Sequence, residues 1–201
     1  MNPTCTEVDI YDDIKACAGQ VNLPGVRPFF FYIKKSNITG WPTLPAPSAS
    51  GTKMEDVAVY SGNFTLASNV NWNKVDMVPD SATFGCESQG NWGSKTYNNT
   101  ATLVVPGTKE EVTGLISLLN NDDVVFLVPG RDGKCRVIGA EQFSVAANMK
   151  EEQGAAAASD SAQTTIELSC TSPVALPFYP GNIVTADGTI SGADLSPVTG
   201  G

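Results

Sequence analysis

One segment of this 201-residue chain carries a well-marked helical period, and it stands among runs that alternate like strands. Val112, Leu115, Ile116 and Leu119 fall at i, i+3, i+4 and i+7, which places them on one apolar stripe of a helix. Pro106-Gly107 breaks the preceding run, and Thr108-Lys109-Glu110-Glu111 fits a capping box. In that motif the Thr108 hydroxyl accepts the Glu111 amide, and the Glu111 carboxylate reaches back to the Thr108 amide. Acidic side chains in the first turn also suit the helix dipole. Asn120-Asn121 supplies a stop, because Asn tolerates the left-handed conformation. The spacing predicts a helix over 108–121. One stripe cannot enclose a core for a chain of this length, so the helix reads as a clip between β segments.

The rest of the sequence has the texture of many short strands. It contains 19 Gly and 13 Pro, and only 16% of its residues are charged, a mix that favours turns over helical bundles. Pro28 to Ile33 and Val124 to Val128 are continuous apolar runs of strand length; the first is expected to be buried on both faces and the second reads as a core strand. Alternation around Val57 and Val59, Phe64 and Leu66, Trp72 to Met77, and Ala82 to Cys86 predicts further short strands. Ser94 to Val105 forms another. Arg131-Asp132-Gly133-Lys134 reads as a tight hairpin turn, since Asp-Gly accepts positive φ. The return strand starts at Cys135 and is expected to run on through Phe143 and Val145. Small residues at Gly154 to Asp160 read as the tip of a long hairpin leading into Thr164 to Cys170.

The expected fold is mostly β (α+β): an antiparallel β-sandwich or half-barrel with one flanking helix. Three parts are expected: an N-terminal arm at 1–22, a β-sandwich domain at 23–173, and an extended C-terminal arm at 174–201. The first arm carries a short helical turn near Ile10 to Ala16. Residues 36–52, with Pro42, Pro45 and Pro47, read as a loop or arm without regular structure.

Catalytic chemistry finds little to work with. The chain has no histidine, which removes Ser-His and Cys-His nucleophile systems and nearly all catalytic zinc sites. Acid pairs such as Asp12-Asp13, Glu110-Glu111, Asp122-Asp123 and Glu151-Glu152 sit at element ends, where solvated capping explains them. Asp132-Gly133 and Asp187-Gly188 lack the ligand spacing of a calcium loop, and no phosphate-binding glycine loop occurs. The expectation is a non-enzyme with no cofactor and no metal.

The formal net charge is −9, without a basic stripe, so direct nucleic-acid binding is not expected. An acidic surface serves solubility, and it also suits a channel through which DNA passes without sticking. No apolar run approaches a membrane span, and the polar N-terminus carries no secretory signal, which leaves the sequons at Asn37, Asn63 and Asn98 without weight. Five separated cysteines do not form a disulfide scaffold. Cys135 and Cys170 read as buried thiols, with a Cys5–Cys17 bridge as a minor alternative. Trp41 and Trp92, in Gly/Pro loops, read either as exposed binding or subunit-contact residues or, with Trp72, as plugs for the ends of the core.

Several segments, in order, resemble the tail tube-like structural proteins of tailed phages and prophages of gut bacteria. They are Pro24-Gly25-Val26-Arg27 before an aromatic strand, Lys53 to Gly62, Gln89-Gly90 with Gly93 to Tyr97, and Pro106-Gly107-Thr108 opening the helix. Asn120 to Asp123, Arg131 to Lys134, Val137-Ile138-Gly139 and Ala175 to Tyr179 complete the pattern over roughly residues 20–180. The resemblance implies a sandwich or half-barrel with one helix, forming a homo-oligomeric, hexameric ring that stacks into a tube. Other tail proteins are the implied partners, DNA is only passing cargo, and no membrane is involved. The implied location is the virion tail, assembled in the host bacterial cytoplasm. Trp41, Trp92, Phe178 and Tyr179 are the candidate subunit-contact residues. A non-catalytic binding module, a carbohydrate-binding or adhesin-like β-sandwich, is the alternative.

Overall fold

The computed structural model describes residues 9–15, 19, 21, 23–152 and 162–198. In chain order the strands are β1 Phe29–Lys34, β2 Ile38–Gly40, β3 Thr65–Leu66, β4 Asn73–Asp76, β5 Thr83–Gln89 and β6 Thr96–Pro106. Helix α1 Glu110–Leu119 follows, then β7 Val124–Pro129, β8 Cys135–Ile138, β9 Ala146–Glu152 and β10 Gln163–Ser172. The last strands are β11 Phe178–Tyr179, β12 Asn182–Thr185 and β13 Gly188–Ser191.

Two antiparallel sheets form the body. One has the order β11-β8-β7-β1-β4, the other β5-β6-β10-β9, and β12-β13 and β2-β3 make two small ribbons. The first core lies between the two sheets. Phe30, Phe126, Val128 and Ile138 meet Leu103, Val105, Ile166 and Leu168 there, with Leu119 of the helix. The alternate residues of the five-stranded sheet, Phe31, Ile33, Val125, Leu127 and Val137, point to a second core. That core is closed by Tyr60, Phe64, Trp72, Tyr179 and Ile183. Burial on both faces is the physical reason β1 and β7 read as unbroken apolar runs. The fold is therefore mostly β, a sandwich with one flanking helix, as expected, and loops and ribbons add a third layer.

The helix is shorter at both ends than its spacing predicts. Lys109, with φ −75° and ψ 165°, holds the N-cap position in place of Thr108, and no side chain caps it. A lysine offers no acceptor to the free amides, and Glu110 and Glu111 support the first turn through the dipole. Asn120 stays right-handed at φ −59°, and the Asp122 N–H closes the last turn on the Leu118 carbonyl at 3.2 Å. The exit is pinned electrostatically. Lys34 Nζ lies 2.7 Å from Asp122 and Lys35 Nζ lies 3.2 Å from Asp123.

Other local expectations change. Residues 54–58 form a 3-10 turn, not a strand, because the Asp56 carboxylate accepts the Lys53 N–H at 2.9 Å and winds the backbone. The 36–52 segment contributes β2, which pairs with β3. The hairpin at 131–134 is a three-residue loop: Gly133 N–H bonds the Gly130 carbonyl at 3.1 Å, and Gly130 N–H bonds Lys134 at 2.9 Å. Gly133, at φ 86°, takes the left-handed position that such a loop requires. The return strand stops at Ile138. Gly139 has φ 148°, and a Cβ there would lie 2.9 Å from Val125. The chain leaves this sheet at that glycine and crosses to the other as β9.

Residues 9–15 carry no helical turn. The Cys5–Cys17 pair and the small-residue tip at 154–160 lie outside the described residues.

The C-terminal segment is built into the body instead of extending from it. β11 pairs with β8, and Tyr179 and Ile183 are completely buried. Asn99, itself buried, anchors the entry: its Oδ1 accepts the Leu176 N–H at 3.0 Å and its Nδ2 donates to Val174 O at 3.0 Å.

Candidate functional site

The two sheets end differently. In the five-stranded sheet, β11 is two residues long, and the Tyr60 N–H bonds the Phe178 carbonyl at 2.9 Å. The opposite edge, β4, has four residues and carries a Lys74–Asp76 ion pair at 3.3 Å. Short length and an edge lysine both discourage a further strand.

The four-stranded sheet lacks that protection on β5. Its edge strands, β5 and β9, are seven residues each and pair with the sheet on one side only among the described residues. β5, Thr-Phe-Gly-Cys-Glu-Ser-Gln, holds no Lys and no Pro. β9 carries charge at one end, Lys150, Glu151 and Glu152, where Lys150 and Glu152 form an ion pair. The registers Phe84↔Ala101↔Leu168↔Ala147 set the inward face of this sheet. The opposite face is mostly polar, with Thr100, Thr102, Asn98, Ser169 and Asn148 on it, Glu87, Glu167, Lys150 and Glu152 as charges, and Val104 as a buried apolar exception.

The predicted contact residues do not converge. Trp92, in the loop joining β5 to β6, is 95% exposed. Trp41 is half-buried, edge-on against Phe64 with ring centres 5.2 Å apart. Trp72 is 2% exposed and plugs the second core. Tyr179 is buried in that core: its hydroxyl accepts the Phe64 N–H at 3.1 Å and donates to the Asn182 carbonyl at 2.9 Å. Phe178 is partly buried and serves as a platform for cations. The Arg136 guanidinium stands 3.4 Å from its ring centre, and Lys134 Nζ stands 5.4 Å away. Arg136 also donates to the Leu176 carbonyl at 2.9 Å. Burial holds its pKa below the usual guanidinium value. In the sequence Arg136 stands out only as a cation flanking Cys135; its contact with Phe178 depends on β11 lying beside β8.

Nucleophilic chemistry has no support at the buried thiols. Cys135 is pushed up to about 12 and Cys170 to about 11, in both cases chiefly by burial. Cys86 is the exposed thiol among the described residues. No group of three potential metal ligands clusters among the described residues, and no described helix is long and apolar enough to cross a membrane. A groove of about 840 Å³ runs beside Phe178 and Lys134, bordered by residues 12–15 and 53–56. Its charges are mixed, Lys15, Lys53 and Lys134 with Asp12, Asp13, Glu55 and Asp56.

Comparison with known proteins adds no relative: no family model, no curated protein and no solved structure matches the chain.

Proposed function

We propose that this protein is a structural subunit of the phage tail tube type, which self-assembles into rings around a channel for DNA. The observation that carries the reading is the pair of seven-residue edges on the four-stranded sheet, β5 without Lys or Pro and β9 charged only over its last three residues, 150–152. Successive strands of that sheet are all antiparallel, so β5 and β9 run in opposite directions. A neighbour rotated about an axis along the strands therefore brings its β9 antiparallel to β5 and continues the alternation. This junction is head-to-tail, and head-to-tail contacts close into rings when the rotation permits.

The same geometry favours one orientation of such a ring. One face of the four-stranded sheet is buried against the first core, so the polar face is the one left to line a lumen. Its Thr, Ser and Asn side chains, with Glu87, Glu167 and Glu152 against the single Lys150, offer passing phosphates little to bind. The net charge of −9 acts in the same direction.

Sedimentation of the full chain at high concentration, with electron microscopy of the same sample and tail-tip proteins as initiators, tests the reading. Rings or tubes are expected. Cys86→Lys/Ser88→Lys, which adds positive charge to the open β5 edge, should abolish them while near-ultraviolet circular dichroism stays native. Monomers throughout, or assembly indifferent to the β5 lysines, would contradict it.

A further inference from the structure

A second concavity, of about 330 Å³, lies between the 41–44 segment, Tyr60, the 140–142 turn and Pro173. It is separate from the open sheet edges. Trp41, Leu44, Tyr60 and Pro173 give it aromatic and apolar walls, and Glu141 and Gln142 bring polar groups to its rim. Its walls are held rigidly. Thr43 and Ser61 exchange two backbone hydrogen bonds, at 3.0 and 2.8 Å, and Trp41 is locked edge-on against Phe64.

We propose that this cleft binds a neutral pyranose ring, with the apolar C–H face of the sugar against Trp41 and its hydroxyls on Glu141 and Gln142. The chemistry is matched at each wall. A pyranose carries one largely apolar face and a fringe of hydroxyls, which needs an aromatic surface beside a carboxylate and an amide. Glu141 supplies acceptors only, and Gln142 supplies both a donor and an acceptor. Tyr60, pushed up to about 12 mainly by burial, with Glu141 adding to the shift, keeps its phenolic proton at neutral pH. The volume is at the low end for small-molecule sites and suits one ring better than an extended chain. An anionic ligand is disfavoured by Glu141 in a chain of net charge −9. A proline-rich peptide would need a longer aromatic groove.

The three tryptophans provide the test, because they sit in three environments. In NMR spectra of the full chain, the indole N–H resonances of Trp41, Trp72 and Trp92 are followed while methyl glycosides of glucose, galactose, mannose and N-acetylglucosamine are added to millimolar concentration. The Trp41 resonance should move with at least one glycoside, while those of buried Trp72 and of Trp92, which does not line the cleft, stay in place. Glu141→Ala/Gln142→Ala, at two exposed positions, should leave the starting spectrum intact and weaken the response about tenfold. No movement with any glycoside, movement of Trp92 alone, or a Trp41 response only to a proline-rich peptide would overturn the assignment. Assembly plays no part in this readout, so the cleft and the ring stand or fall separately.

Discussion

The Tyr179 hydroxyl accepts the backbone N–H of Phe64 at 3.1 Å, across 115 residues of sequence, and the two rings lie 4.9 Å apart. This contact ties the C-terminal strands to the loop layer over the second core. Because the Tyr179 hydroxyl also donates to Asn182 O at 2.9 Å, two hydrogen bonds depend on one oxygen. Tyr179→Phe leaves the Phe64 amide buried without a partner and should cost about 1–3 kcal/mol. Urea unfolding should show a lower midpoint with an unchanged slope.

The start of α1 offers a gain in stability. Lys109 occupies an N-cap position with no side-chain cap, where Ser, Asp or Asn is preferred. Lys109→Ser supplies the missing acceptor and should stabilise the fold by about 0.5–2 kcal/mol. At roughly 2–4 °C per kcal/mol for a chain of this size, calorimetry would resolve the upward shift. An unchanged or lower melting temperature would contradict the placement of the helix start.

Alkali should destabilise the protein through its buried acids. Cys135 rises from 9.0 to about 12, Cys170 from 9.0 to about 11, and Tyr60 from 10.0 to about 12, each mainly through burial. Between the unfolded and folded values the native state holds protons that the unfolded chain has released. Stability then falls as pH rises. It should be little affected by these groups at neutral pH and decline progressively from about 9 to 12. Denaturant midpoints across that range check the trend, and Cys135→Ala should flatten part of it.

Much of the fold is legible in the sequence wherever a local period survives. The stripe of Val112, Leu115, Ile116 and Leu119 marks α1, and the unbroken runs of β1 and β7 reflect burial on two faces. Legibility fails where distant partners decide. Val57 and Val59 look like a strand, but Asp56 winds residues 54–58 into a 3-10 turn, and only Val59 is extended, in a single bridge to Phe178. The Pro- and Gly-rich C-terminus looks like an arm, yet Asn99, in β6, bolts its entry down, and β11 pairs with β8. The sequence separates Trp72, in a strand, from Trp41 and Trp92, in loops, but does not tell those two apart. What lies across from each one leaves Trp92 exposed, Trp41 half-buried and Trp72 sealed. Of the candidate site, the open edges could not be read at all, because β5 and β9 are edges only by virtue of β6 pairing with β10.

The most direct measurement of the assembly account is an oxidative cross-link from β5 to β9. Cys86 and Met149 are the central residues of the two seven-residue edges. Centre-to-centre antiparallel pairing of neighbouring copies places them together. In a Cys5→Ser/Cys17→Ser background, Met149→Cys should give, on oxidation at high protein concentration, a ladder of species running beyond the dimer on a non-reducing gel. The ladder should disappear when Cys86 is replaced by Ser. A product that stops at monomer or dimer would contradict a head-to-tail ring built on these edges.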